Sequence, residues 1–247
     1  MKNNEKTVSE PAMKKQGFLD FLFSRNRAPL LFCVAMFFSW YLFFFYSIIQ
    51  GDSYYRIILF GSGEDTFMDF YNSCRDASRG MECYTLRGVI YPPLANLFYI
   101  VCCPFITDKY LNTSFINNHK IMTTPSNIMV CVMITLVIVC FLVMLYSSVL
   151  KGNKYYKIIV TMLFIINYPV VYAIERGNII LLAFLLVLFF VFNYDSENKY
   201  ISEFACICLA ISAAIKIYPA LFGIMLILSK RYKQAIRTVV YGILLFF

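Results

Sequence analysis

The chain has 247 residues, 60% of them hydrophobic and 15% charged, with a mean hydropathy of +0.68. Soluble domains are about 45–50% apolar and about 25% charged, so this composition excludes an ordinary water-soluble fold. The net charge of +8 reads as the Lys and Arg excess of cytoplasmic loops, because no basic nucleic-acid motif accompanies it. Nucleic acid is therefore not an expected partner, and the lipid bilayer is.

Residues 1–29 form a polar tail carrying Lys2, Lys6, Lys14, Lys15, Arg25 and Arg27. The first apolar run lies beyond about 28 polar residues, is too long for a signal-peptide core and has no small-residue cleavage site. It reads as an uncleaved signal anchor. Clear spans follow near 30–49, 127–149, 158–174, 178–194, 201–215 and 217–229, and another begins at about 238. Most are close to the ~20 residues a helix needs to cross a ~30 Å hydrocarbon core, and 201–215 and 217–229 are shorter. Lipid offers the backbone no hydrogen-bond partners, so helices are the expected solution. Residues 30–247 thus predict an all-α, polytopic transmembrane helix bundle of about seven spans. The last run stops after about ten residues, at Phe247, which reads as an incomplete span in a truncated chain.

Charge asymmetry orients the bundle. The Lys-rich N-terminus belongs in the cytoplasm, which puts loop 50–126 outside. Two short loops are strongly basic, one with Lys151, Lys154 and Lys157, the other with Lys230, Arg231, Lys233 and Arg237. Both fall inside only if the apolar stretch 89–106 does not cross. Its prolines agree with that. Pro92 and Pro93 can begin a helix but not continue one, and Pro104 breaks it again. The helix left between them is about 11 residues, or about 16 Å, too short to span. It reads as a juxtamembrane or re-entrant helix in the first outer loop. The expected location is the plasma membrane, with the N-terminus cytoplasmic.

On this topology four polar clusters share the outer face. The first is Glu64-Asp65-Thr66-Phe67-Met68-Asp69-Phe70-Tyr71-Asn72-Ser73. On a helix, Asp65 and Asp69 stand one turn apart on one face, among aromatics that suit an interface. Such a carboxylate can take a proton from a hydroxyl; a solvated acidic loop would look the same. The second is Tyr91-Pro92-Pro93-Leu94, in itself a helix start. The third is Glu175-Arg176-Gly177-Asn178, a tight turn whose glycine allows positive φ and whose Asn178 can cap the next helix. Glu175 and Arg176 also fit as interfacial charges. The fourth is Lys216-Ile217-Tyr218-Pro219, where Lys216 interrupts an apolar stretch from about 204 to 228. Lys216 is either a phosphate contact or an outer-interface anchor.

Nine cysteines are present, most of them in apolar runs, and His119 is the only histidine. No Cys/His metal spacing occurs, so no metal site is expected. Cys74 and Cys83 either close a small outer loop as a disulfide or stand as free thiols.

Taken in order, these clusters resemble glycosyltransferase family 87 and, more distantly, the first mannosyltransferase of GPI-anchor synthesis. The resemblance covers roughly residues 30–237. It rests on Asp69-Phe70-Tyr71, then Gly80 and Tyr84, Tyr91-Pro92-Pro93-Leu94-Ala95, Glu175-Arg176-Gly177-Asn178 and Lys216-Ile217-Tyr218-Pro219. It implies a C-type glycosyltransferase fold and a polyprenyl-phosphate-linked sugar donor, with a hexose such as mannose passing to a glycolipid or cell-envelope glycan with inversion. It implies Asp69 as catalytic base, with Asp65 second. Lys216 and Arg176 would hold the donor phosphate, with Glu175, Asn178, Tyr91 and Tyr218 as further substrate contacts. No cofactor is implied. A transporter or flippase of lipid-linked sugars, or a non-catalytic membrane subunit, would carry similar basic residues. Neither would need a base at Asp69.

Overall fold

The computed structural model describes residues 67–86, 91–106, 111–112 and 125–246, with scattered helical positions between 34 and 49. The described residues form helices and turns and include no strand. Asp65 lies outside them, and so does most of the first expected span.

The first elements described in full are three short helices: α1 (Met68–Ala77), α2 (Glu82–Leu86) and α3 (Pro93–Cys102), the last extended by a 3-10 turn at Cys103–Phe105. Pro93 opens α3 at its first turn, where its missing N–H costs nothing. With ten residues α3 is about 15 Å long, short of a bilayer crossing, as its prolines predict.

The helix α4 (Pro125–Val149) is apolar on every side. Its part Met129–Val149 is 21 residues long, with a hydropathy of 2.9. Met129, Met133, Leu136, Val137 and Phe141 on it are exposed, an arrangement suited to lipid contact. This is the one described helix that is long and apolar enough to cross a membrane by itself. A second crossing counts if the bent pair α5 (Lys154–Ile165) and α6 (Tyr168–Arg176) forms one span.

That pair occupies the expected span 158–174, which is therefore not one straight helix. It turns by 57°. Asn167 makes the bend orderly. Its side-chain oxygen accepts from Val170 N at 3.1 Å, capping α6, and its amide donates to the Phe164 carbonyl at the end of α5. Pro169 then blocks a continuous ladder.

The remaining elements are α7 (Ile180–Asn193), α8 (Lys199–Ile215), a 3-10 stretch at Tyr218–Gly223, α9 (Ile224–Leu228) and α10 (Tyr232–Phe246). The expected span 217–229 thus begins as 3-10 helix, because Pro219 removes a donor there. The basic loop is shorter than expected, since α10 already includes Lys233 and Arg237.

Helix α8 is the hub. It packs against α7, α10, α3 and the 3-10 stretch. Apart from Leu209 and Ile215, its buried side is made of small residues: Ser202, Ala205, Cys206, Cys208, Ala210, Ser212 and Ala214. Small side chains let helix backbones approach closely. The approach is sealed by Ser212, whose hydroxyl donates to the Ala183 carbonyl of α7 at 2.8 Å. Because α8 ends at Ile215, the hub delivers Lys216 to the same end of the bundle as the start of α7.

Candidate active site

Helix α1 has two faces. Met68, Phe70, Tyr71, Cys74 and Ala77 are buried against α3, Cys131 of α4 and the start of α7. Asp69, Asn72, Ser73 and Asp76 follow at helical spacing on the other side and line a cavity of about 1010 Å³. The helix starts at Met68, so Asp69 occupies its first turn, where a carboxylate is favoured by the helix dipole.

The Glu175–Asn178 turn holds α1 in place. Gly177 has φ of 62°, Asn178 N donates to Ala173 O at 2.9 Å, and Gly177 N donates to Ile174 O at 3.0 Å. That is a Schellman closure of α6. The backbone N–H of Phe67, itself left-handed at φ 59°, donates to the Glu175 carbonyl at 2.8 Å. Glu175 is only 6% exposed. Here it contributes a carbonyl that docks the loop, rather than a group facing the cavity.

From this turn two side chains reach Asp69. Arg176 NH2 donates to Oδ1 at 3.1 Å, and Asn178 Nδ2 donates to Oδ2 at 2.7 Å. The Asn178 amide works at both ends, since its Oδ1 accepts from Ile180 N at 2.9 Å and starts α7. Asp69 is thereby fixed in two directions. A carboxylate has about four acceptor positions, so two remain for a ligand. Arg176 and Asp69 are 23% and 27% exposed. An ion pair that wet contributes roughly 0–1 kcal/mol, so its value lies in orientation rather than in stability.

Lys216 reaches the cavity from the other direction. Its backbone is extended, with φ −141° and ψ 129°, so the chain leaves α8 and the side chain turns inward. Its Nζ lies 4.2 Å from the centre of the Tyr91 ring. Among the described residues no carboxylate pairs with it. Tyr91 and Tyr218 also line the cavity.

Of the residues picked out in the sequence, the structure gathers Asp69, Tyr91, Lys216 and Tyr218 around one cavity. Arg176 and Asn178 stand behind Asp69, and Arg176 is engaged with that carboxylate rather than lining the cavity. Cys74 and Cys83 are both free and buried, on separate helices. Sequence reasoning included Asn72 and Ser73 in the acidic cluster without giving them a role and passed over Asp76, although their spacing of three, four and seven from Asp69 is the mark of one helix face. Tyr84 also lines the cavity, with buried Asn96 donating to its hydroxyl at 2.5 Å. Burial pushes the Tyr84 phenol up from its ordinary value, against the lowering effect of Asn96. Its proton therefore stays available as a donor to a hydroxyl-rich ligand.

The docking of α1 depends on Gly177. A methyl group there would meet Cys131 Sγ at 2.8 Å and Phe70 Cβ at 3.0 Å. Gly80, at φ 60°, would meet nothing within 4 Å. Both positions carry the left-handed penalty of about 1–2 kcal/mol for a non-glycine residue. Only Gly177→Ala adds a clash, so its thermal midpoint in detergent should fall clearly below that of Gly80→Ala. Equal midpoints would show that the turn does not pack tightly on α1.

The family model of glycosyltransferase family 87 matches residues 90–247, more than half of the chain. The match includes Tyr91, Arg176, Asn178, Lys216 and Tyr218, whereas Asp69 precedes it. No curated protein and no solved structure matches. The chain belongs to glycosyltransferase family 87, which makes it a glycosyltransferase by family.

Proposed function

We propose that the protein is a polytopic membrane enzyme that moves a hexose from a polyprenyl-phosphate-sugar to a hydroxyl of a glycolipid or cell-envelope glycan. One observation supports this most directly: a carboxylate, Asp69, and an ammonium, Lys216, that pairs with no carboxylate among the described residues line the same cavity. In one inverting displacement the acceptor oxygen bonds to the anomeric carbon as the bond from that carbon to the phosphate oxygen breaks. Asp69 receives the acceptor's proton. Lys216 neutralises the charge that builds on the leaving phosphate. Arg176 and Asn178 keep Asp69 aimed. Asn72, Asp76 and Tyr84 supply hydrogen-bonding groups for sugar hydroxyls along the same wall.

The donor class is tested by supplying the purified, full-length protein with polyprenyl-phosphate-mannose or with a nucleotide-linked mannose, beside a glycolipid acceptor. Transfer from the lipid-linked donor alone is expected. Transfer from the nucleotide sugar alone would defeat the proposal, and donor movement across a vesicle bilayer without transfer would indicate a transporter.

The proposed topology places the cavity at the outer face. Thiols introduced at Leu86 and Phe115 should both react with an impermeant reagent added outside intact cells. Labelling of the Phe115 site from the cytoplasm alone would reverse that arrangement.

A further inference from the structure

The Tyr91 ring does not stand open in the cavity for a sugar to stack on. The Lys216 ammonium already covers it, 4.2 Å from the ring centre. Two other neighbours restrain Tyr91. Tyr99, fully buried in the core between α1 and α3, packs at 5.8 Å with its plane tilted by 57°. Pro92, at φ −58° and ψ 159°, and Pro93 follow immediately and restrict the backbone of Tyr91 itself. The ring is therefore a fixed platform, whereas the lysine stem is the most flexible kind of side chain.

The nature of the contact matters. A carboxylate beside Lys216 would hold it but cancel its charge. An aromatic face attracts the cation through the ring quadrupole and leaves the charge whole. Ordering a flexible side chain before the ligand arrives also removes that cost from binding.

We infer that Tyr91 is a positioning residue that holds the Lys216 ammonium by its ring face, so that the ammonium's N–H donors meet the phosphate of the lipid-linked donor. This rests on the phosphate role proposed above for Lys216. Tyr91 then acts through Lys216 rather than by touching the sugar.

The test is the binding of bare polyprenyl phosphate, and of polyprenyl-phosphate-mannose, to the full chain in detergent. Tyr91→Phe keeps the aromatic face and should bind within about twofold of the parent. Tyr91→Leu keeps the bulk but loses the face, and should weaken binding about 3- to 30-fold, the range a cation–π contact supplies. In a Lys216→Gln background, Tyr91→Leu should add nothing. If Tyr91→Leu does not elute as a monodisperse species, Tyr91→Met carries the same comparison. Parent-like binding by the aliphatic variant would overturn the inference, and so would an equal loss in the Lys216→Gln background. Lys216→Gln binding as tightly as the parent would instead remove the phosphate role itself, and the inference with it.

Discussion

Asp69→Asn should lower sugar transfer by about 10²–10⁴-fold, the usual contribution of a positioned general base. The replacement keeps the size of the side chain but only one acceptor oxygen, so one of Arg176 and Asn178 keeps its bond and the other donor turns to water. The lost ion pair is about a quarter exposed at each end and contributes roughly 0–1 kcal/mol to stability. Membrane insertion and elution should therefore match the parent, and donor binding should change little. The measurement is single-turnover transfer at saturating donor. Turnover near that of the parent would sink the assignment and move attention to Asp76, the other carboxylate on the cavity wall among the described residues. Arg176→Lys offers an intermediate case. It keeps the charge but loses the planar fork, so it should slow transfer while leaving donor affinity nearly unchanged.

Lys216→Gln should weaken polyprenyl-phosphate-sugar binding by about 10- to 100-fold, since a hydrogen bond to a charged group contributes about 1.5–3 kcal/mol. The effect should persist in salt, because a partly dry cavity is screened much less than an open surface. Lys216→Arg should recover part of the loss, keeping the charge while altering the reach. Folding should be nearly untouched, since Lys216 lies past the end of α8 and makes no ion pair among the described residues. If Lys216 only anchors the outer interface, Gln would alter insertion and leave donor affinity alone. Unchanged affinity in a monodisperse Lys216→Gln sample would therefore remove the main support for a lipid-phosphate donor.

Both effects depend on geometry that different levels of the molecule supply. The helical character of the chain was legible in its composition, because apolar runs this long have no other way to satisfy their backbone. The start of α3 was legible in Pro92 and Pro93, and the end of α6 in Gly177. These signals are local: a missing N–H or a positive φ acts on the residue that carries it. Lys216 was legible for a similar reason, as a charge inside an apolar stretch. The family, too, was readable from the order of four short clusters, and its model matches residues 90–247. The bend of 57° between α5 and α6 was within reach at Asn167 and Pro169, but the unbroken hydropathy of 158–174 concealed it. Hydropathy reports what surrounds a segment and not whether its axis is straight.

What only the tertiary structure decided is who meets whom. Asp69 finds Arg176 and Asn178 at separations of 107 and 109 residues. Lys216 finds the ring of Tyr91. Nothing local to either partner encodes these meetings. They follow from the docking of α1 on the Gly177 turn, where the absence of a Cβ admits Cys131 and Phe70, and from the small-residue face of α8 that carries Lys216 to the same end. The sequence by itself therefore determined which chemical groups were available and which helices would bear them. The packing of those helices decided that Arg176 aims a carboxylate and that Lys216 rests on an aromatic ring, because a side chain's partner is set by the backbone that brings it near.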